Sequence, residues 1–143
     1  MTQEWHRGEY TISTDRHRLD LELIHDFLTR SYWAAGRELT IVKKSIEHSL
    51  PFGVYHVTQQ IGFARVLTDY ATIAYLSDVF IVESFRGQGL GKWLVETVVS
   101  HPSLQGLRKW SLATADAHGL YRQFGFAEVR YPSRHMEKWG ENV

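Results

Sequence analysis

A cluster of glycines follows an apolar, β-branched run of the chain and precedes a helical pattern. The cluster reads Arg86-Gly87-Gln88-Gly89-Leu90-Gly91, and apolar residues then recur at helical spacing over residues 90–99. Glycine lets a backbone turn tightly and keeps side chains away from its amides. A helix that begins in such a turn adds unpaired N–H groups and the positive end of its dipole. The stretch therefore predicts an anion-binding turn, with a phosphate as its ligand.

The spacing of these glycines excludes two common nucleotide motifs. A dinucleotide fingerprint G-x-G-x-x-G that starts at Gly87 would need glycine where Lys92 stands. A P-loop that ends in Gly91-Lys92 would need glycine in place of Arg86, and Ser or Thr in place of Trp93. The pattern that remains is Arg-x-x-Gly-x-Gly, and a glycine-rich turn without a ligand stays open as the alternative.

The elements that position this turn are indicated by hydrophobic periodicity. Apolar residues recur every three to four positions over residues 19–28 and predict an amphipathic helix. A second helix is predicted with Thr40 as its N-cap, and Pro51 ends it. Two more helices are predicted, one after the glycine turn and one over residues 117–124. The predicted strands are residues 10–13, 52–58, 61–68, 72–82, 107–114, 126–129 and 136–139.

The predicted strand before the turn alternates between two faces. One face carries Tyr75, Ser77, Val79 and Ile81, and the other carries Leu76, Asp78, Phe80 and Val82. The order of elements predicts an antiparallel first half and a βαβ crossover in the second half. Because there are no repeats or linkers, we expect a single α+β domain over residues 1–143.

A second motif lies one predicted strand beyond the glycine turn. Tyr121 is followed by Gly125 and Phe126 in the pattern Tyr-x-x-x-Gly-Phe. The two motifs, in this order and with a strand between them, resemble the GCN5-related N-acetyltransferase (GNAT) family over residues 10–139. The resemblance implies a GNAT-like α/β sandwich, with a mixed central sheet of about six or seven strands and about four flanking helices.

The resemblance also implies a co-substrate, acetyl-CoA, and the residues that bind it. The main-chain amides of Arg86, Gly87, Gln88, Gly89, Leu90 and Gly91 would wrap its pyrophosphate. Val79, Phe80 and Ile81 would pair with its pantetheine arm where two strands of the sheet splay apart. Both roles agree with general chemistry, since helix N-termini bind phosphates and an amide-containing arm can extend a strand edge.

Acetyl transfer to an amine requires an acid and a way to remove a proton. The resemblance places Tyr121 as the acid that protonates the leaving thiolate. The ordinary pKa values, near 8.5 for a thiol and near 10 for tyrosine, leave that transfer close to balance. Asp78 is the candidate base, and Glu83, His48 or a water chain are open alternatives. Spermidine/spermine acetyltransferases carry glutamate where Ser77 stands, and this difference weakens a polyamine interpretation.

The acceptor pocket is expected at the loop between the first two helices. Tyr32, Trp33 and Arg37 fall there in the sequence. Aromatic faces can hold a cationic amine, and an arginine can hold a carboxylate with two hydrogen bonds. The alternative is that paired aromatics at a helix end only cap the core.

Composition excludes several other classes. Lys and Arg number 16, Asp and Glu also number 16, and this balance gives no strong field for nucleic acid or an acidic membrane. There is no cysteine, so disulfides and a covalent acetyl-cysteine are excluded, and the eight histidines form no metal-ligand pattern. With no signal peptide or membrane span in the sequence, we expect a cytoplasmic protein without a metal.

The sequence as a whole favours an acetyl-CoA-dependent N-acetyltransferase for a small-molecule or amino-acid-like amine, acting by direct attack in a ternary complex. Acetylation of a protein N-terminus or lysine is an alternative within the class. A non-catalytic acyl-CoA-binding or sensing module is an alternative from another class. A homodimer is also open, because relatives often form dimers.

Overall fold

The computed structural model describes residues 1–141, which form a six-stranded sheet with helices packed on both faces. The strands lie in the order of the sequence, and neighbours are antiparallel except for the last pair, which is parallel. The strands are β1 (Glu4–Arg7), β2 (Tyr10–Ser13), β3 (Leu50–His56), β4 (Gln59–Thr68), β5 (Ile73–Ile81) and β6 (Lys109–Ser111).

Four α-helices lie within the described residues. Asp20 caps the first of them, because its side chain accepts a hydrogen bond from the Leu23 amide at 3.1 Å. None of these helices is long and apolar enough to cross a membrane. The helices are α1 (Leu21–Thr29), α2 (Leu39–Glu47), α3 (Leu90–Val99) and α4 (His118–Arg122).

The predicted start and end of α2 are both wrong. Its N-cap is Glu38, so Thr40 lies inside the first turn of the helix. The helix ends at Glu47, and Pro51 belongs to β3, where it pairs with Arg65. The C-terminal end of α2 is set by the chain entering β3, which a local stop signal does not report.

Each face of the sheet has its own apolar cluster. One cluster includes Leu94 and Val98 of α3 and packs around the centre of β3 and β4. The other joins Ile24 and Leu28 of α1 with Val42 of α2. The helices predicted from periodicity therefore cover the sheet on its two sides.

A bulge in β5 connects the two faces. Phe63 of β4 pairs with Phe80 of β5, and Arg65 pairs with Ser77. One residue lies between the paired residues on β4 and two lie between them on β5, so β5 carries one extra residue. Asp78 lies in this bulge with φ of 54°, a left-handed conformation that Asp tolerates better than most residues. As a result Leu76 packs on the α3 side, whereas Phe80 packs against α1 and α2. The prediction that both share one face is wrong because the bulge inverts the alternation.

The C-terminal part differs most from the prediction. Within the described chain, residues 126–129 and 136–139 pair with no strand, so these two predicted strands are wrong. Phe126 instead supports α4, because its N–H donates to the Tyr121 carbonyl at 3.3 Å and its ring meets Trp110 edge-on. The sequence also gave no sign of β1, since this edge strand reads Glu-Trp-His-Arg and is mostly exposed.

Candidate active site

The glycine turn forms the start of α3. Gly87 and Gly89 have φ of 83° and 80°, and Gly89 is the N-cap of the helix. A Cβ at either position would meet no atom within 4 Å, so glycine is needed here for its backbone conformation and not for space. The amides of residues 87–92 donate to no acceptor within residues 1–141. Six consecutive N–H groups are therefore available to an anion.

Side chains of the turn bond back to the protein and hold the loop. Arg86 donates from Nε to the Ile81 carbonyl at 2.9 Å. Gln88 donates to the Phe85 carbonyl at 3.2 Å and accepts from the Tyr10 hydroxyl at 3.0 Å. The Arg86 amide also donates within the protein, to the Glu83 carbonyl at 3.1 Å, so of these two residues only Gln88 has an amide that is free for the predicted main-chain contact within residues 1–141.

The sheet opens beside this turn. β6 pairs with β5 only at Ile73, Ala74 and Tyr75, so the following part of β5 has no strand on that side among the described residues. A cleft of about 700 Å³ occupies the opening. It brings together most of the residues that the sequence singled out, namely Tyr32, Trp33, Val79, Phe80, Ile81, Arg86, Gly87, Gly89, Leu90, Gly91 and Tyr121.

Tyr121 lies on α4 at the wall of the cleft. Its side chain is buried, and burial raises its pKa to about 12, with smaller contributions from Tyr32 and Asp116. The phenol is therefore neutral at physiological pH and keeps its proton for donation. The Tyr32 hydroxyl accepts a hydrogen bond from the Ala115 amide at 3.0 Å, which ties the α1–α2 loop to the segment before α4.

Asp78 is the centre of a buried polar network. Its Oδ2 accepts from Arg37 Nη1 at 2.8 Å and from Arg65 Nε at 2.6 Å, and its Oδ1 accepts from Trp33 Nε1 at 2.9 Å. The Asp78 side chain has no exposed surface. These contacts attach the α1–α2 loop to the bulge of β5. They favour a positioning role for Asp78 and Arg37, neither of which lines the cleft.

Several lining residues escaped the sequence-based reasoning. Arg65, which contacts Asp78 but does not line the cleft, was also missed, although the sequence shows it as a lone charge inside the apolar strand β4. The missed lining residues carried no motif and follow only from the fold, for example Phe27, Arg30, Ser31, Asp116 and Leu120. No group of three or more His, Asp or Glu within residues 1–141 is arranged to hold a metal ion.

Comparison with known proteins identifies the family. Residues 48–128, more than half of the chain, match the family model of the acetyltransferase (GNAT) domain. The chain belongs to the GNAT family. One similar protein, from Xanthomonas campestris, is provisionally named a GNAT acetyltransferase and has been solved by crystallography. Its sequence is 45% identical to this chain, and the two structures superpose with a TM-score of 0.92 over 96% of this chain and 98% of the other. This GNAT protein is accordingly an acetyltransferase by family.

Two further relatives support this assignment. A protein of Gibberella zeae, also provisionally named an acetyltransferase, is 28% identical over 152 residues, which are 90% of this chain and 85% of that protein. A GNAT acetyltransferase from Elizabethkingia anophelis, solved with acetyl-CoA bound, shares the fold with a TM-score of 0.67 at 15% identity, over 95% of this chain and 91% of its own. The predicted family, fold class and enzyme class are confirmed, and the roles of individual site residues stay predictions.

Proposed function

We propose that this GNAT protein transfers the acetyl group of acetyl-CoA to the amine of a small-molecule or amino-acid-like acceptor, by direct attack in a ternary complex. The observation that carries the proposal is one cleft that is lined both by Gly87, Gly89, Leu90 and Gly91, whose amides are free within residues 1–141, and by Tyr121. Acetyl-CoA supplies an activated thioester carbonyl, and the residues of the chain bind, orient and assist.

Binding would use two backbone features. The amides of residues 87–92 fit a pyrophosphate, because they converge at a helix N-terminus where negative charge is favoured. The edge of β5 at Val79–Ile81, which has no strand on its β6 side within the described chain, fits the amides of a pantetheine arm. Tyr32 and Trp33 line the same cleft as this edge and the turn.

Tyr121 would act as a hydrogen-bond donor to the sulfur. With its pKa at about 12, full proton transfer to a thiolate of pKa near 8.5 is uphill by about 5 kcal/mol. The expectation of a balanced transfer, which used the ordinary tyrosine pKa, therefore does not hold in this environment. A neutral phenol still stabilises the negative charge that develops on sulfur while the C–S bond breaks.

The attacking amine must lose a proton, and Asp78 is poorly suited to accept it. Its two oxygens already accept three hydrogen bonds, two of them from guanidinium groups. Glu83 lines the cleft and lacks such partners among the described residues. We expect the proton to pass to water or to Glu83, with Asp78 holding Trp33 and Arg37 in place.

The acceptor would lie against Tyr32 and Trp33. The two rings meet edge-on, with centroids 5.2 Å apart, and both are partly exposed at the cleft. Ring faces attract a cationic amine before it is deprotonated.

Thermal melting with acetyl-CoA, CoA and ATP as separate additives tests binding first. Stabilisation by the two CoA compounds but not by ATP is expected, because only ligands of the native state raise its stability. An amine screen that detects free thiol then compares Tyr121→Phe with the matched variant Tyr70→Phe, which alters an exposed tyrosine outside the cleft. No melting shift would refute the enzyme proposal, and turnover that is unaffected in Tyr121→Phe would refute the role of the phenol.

A further inference from the structure

A row of aromatic rings leads from the core of the protein to the cleft. Phe63 of β4 is fully buried, and its ring centroid lies 6.1 Å from that of Phe80 in β5. Phe27 of α1 stacks on Phe80, with centroids 3.9 Å apart and an angle of 7° between the ring planes. The Trp33 ring lies 6.4 Å from that of Phe27, and Tyr32 meets Trp33 edge-on. Phe27, Tyr32, Trp33 and Phe80 all line the cleft, and we call these four residues the aromatic wall.

The aromatic wall is fixed from behind. Phe27 lies on α1 between Ile24 and Leu28, both of which are buried in the apolar cluster on that side of the sheet. The Trp33 indole N–H donates to Oδ1 of the buried Asp78 at 2.9 Å. Close-packed interiors do not make room for an added methylene without displacement of side chains or backbone. A ligand that is too long to stop at the aromatic wall is therefore excluded.

The aromatic wall and the glycine turn lie at opposite ends of the β5 edge at Val79–Ile81. Arg86 in the turn donates to the Ile81 carbonyl at 2.9 Å, so the turn is beside the last residue of the strand. Trp33 is bonded to Asp78, which directly precedes the edge at its other end. A ligand that has a diphosphate in the turn and an arm along this edge therefore carries its far end to the aromatic wall. In acetyl-CoA that far end is the acyl group.

We propose that Phe27 and Trp33 set the length of the acyl group, so that acetyl fits and a chain of four carbons or more does not. The inference rests on the proposed function, because it uses the position that this function gives to CoA. Phe27 supplies the limit, since its stacked ring has Phe80 and the core behind it, and Trp33 completes the limit from the α1–α2 loop. A hydrophobic pocket discriminates by about tenfold or more for each methylene that it rejects.

The transfer step itself stays the same for every acyl group. The amine nitrogen forms a bond to the thioester carbonyl carbon, the bond from that carbon to sulfur breaks, and the sulfur keeps the electron pair. The amine gives up one proton and the sulfur takes up one, so CoA is released as a thiol. Phe27 and Trp33 exchange no proton in this step. They act by selecting the acyl groups whose carbonyl carbon can reach the acceptor.

Isothermal titration calorimetry without an acceptor tests the limit, because the binding of an acyl-CoA does not require the identity of the amine. The four probes are CoA, acetyl-CoA, butyryl-CoA and hexanoyl-CoA. In the unaltered chain we expect butyryl-CoA and hexanoyl-CoA to bind at least about tenfold more weakly than acetyl-CoA. Phe27→Ala removes the stacked ring and should abolish most of this difference.

Two further variants make the result specific to the Phe27 ring. Leu23→Ala truncates a partly buried residue one turn earlier on α1, outside the cleft, and should retain the preference for acetyl-CoA. Phe27→Leu keeps most of the apolar volume and so replaces Phe27→Ala if that variant does not fold; it should admit butyryl-CoA but not hexanoyl-CoA. With an amine from the screen, the kcat/KM ratio of butyryl-CoA to acetyl-CoA should rise in Phe27→Ala by about tenfold or more.

Three outcomes overturn the inference and leave the proposed function standing. They are equal affinity for acetyl-CoA and hexanoyl-CoA in the unaltered chain, an unchanged preference in both Phe27 variants, and a loss of preference in Leu23→Ala equal to that in Phe27→Ala. Failure of all four probes, CoA included, to bind the unaltered chain overturns the proposed function and this inference together.

Discussion

Replacement of Asp78 by asparagine distinguishes a positioning role from a catalytic one. The side chain keeps its shape, and asparagine tolerates the left-handed φ of 54° that alanine would not. The negative charge disappears, however, and the guanidinium groups of Arg37 and Arg65 face each other across a neutral amide. The carboxylate is fully buried, so water cannot replace it.

The size of the effect follows from the burial of the partners. Removal of one member of a buried ion pair costs about 3–5 kcal/mol. Arg37 keeps 22% of its side chain exposed and is partly solvated, so we expect the lower end, about 3 kcal/mol. With an unfolding entropy of about 0.3 kcal/mol/K for 143 residues, the melting temperature should fall by about 10 °C.

The assay compares thermal and urea unfolding of Asp78→Asn with turnover measured well below the melting temperature. Asp26→Ala is the matched control, because Asp26 forms an exposed pair with Arg30 and should cost no more than about 0.5 kcal/mol. A variant of normal stability whose kcat falls by about a hundredfold or more would refute this reasoning and establish Asp78 as the base.

Three further outcomes are expected. Gly89→Ala, at φ of 80°, should lose about 1–2 kcal/mol of stability and most of the rise in melting temperature that CoA causes. The control Gly119→Ala on α4 should keep that rise. An unchanged rise in Gly89→Ala would argue against the turn as the anion site. Gly62→Ala would place a Cβ 2.9 Å from the Phe80 carbonyl, so it should cost about 1–3 kcal/mol in urea unfolding, and a neutral effect would mean that the backbone of β5 yields easily. Burial lowers the pKa of His101, so protonation favours the unfolded chain: stability should be full above pH 6.5 and decline as the pH falls below it. His101→Asn, whose side chain can still accept from the Ser103 amide, should flatten this decline between pH 7.5 and 5, and an equally steep decline would assign it to other groups.

The two sequence motifs predicted most of the residues that line the cleft, because such motifs depend on local requirements of the backbone. Glycine at residues 87 and 89 reports a positive φ, and Tyr121 lies at a fixed distance along the chain from Gly125. Such requirements are visible in a sequence without knowledge of its partners. The strands at the centre of the sheet were also predictable, since their apolar runs are long and bounded by turns.

Contacts between distant segments escaped prediction. Nothing near Asp78 in the sequence announces that Arg37 and Arg65 converge on it, and the bulge that turns it inward is one unpaired residue in a regular alternation. The raised pKa of Tyr121 likewise depends on burial that only the packed fold creates. The two C-terminal strands were wrongly predicted because a short apolar alternation does not say whether a pairing partner is within reach.

The bulge in β5 also sets how the chain can tolerate changes of length. Deletion of any one residue from 77–79 would restore a regular ladder with β4, and by local pairing it would look harmless. Leu76 and Phe80 would then be three residues apart in a regular strand, so they would keep their opposite faces and the two apolar clusters would still form. The deletion would instead remove the left-handed position of Asp78 and, with it, the placement of its carboxylate among Trp33, Arg37 and Arg65. A deletion scan at these three positions should therefore give chains that keep the sheet but lose the attachment of the α1–α2 loop.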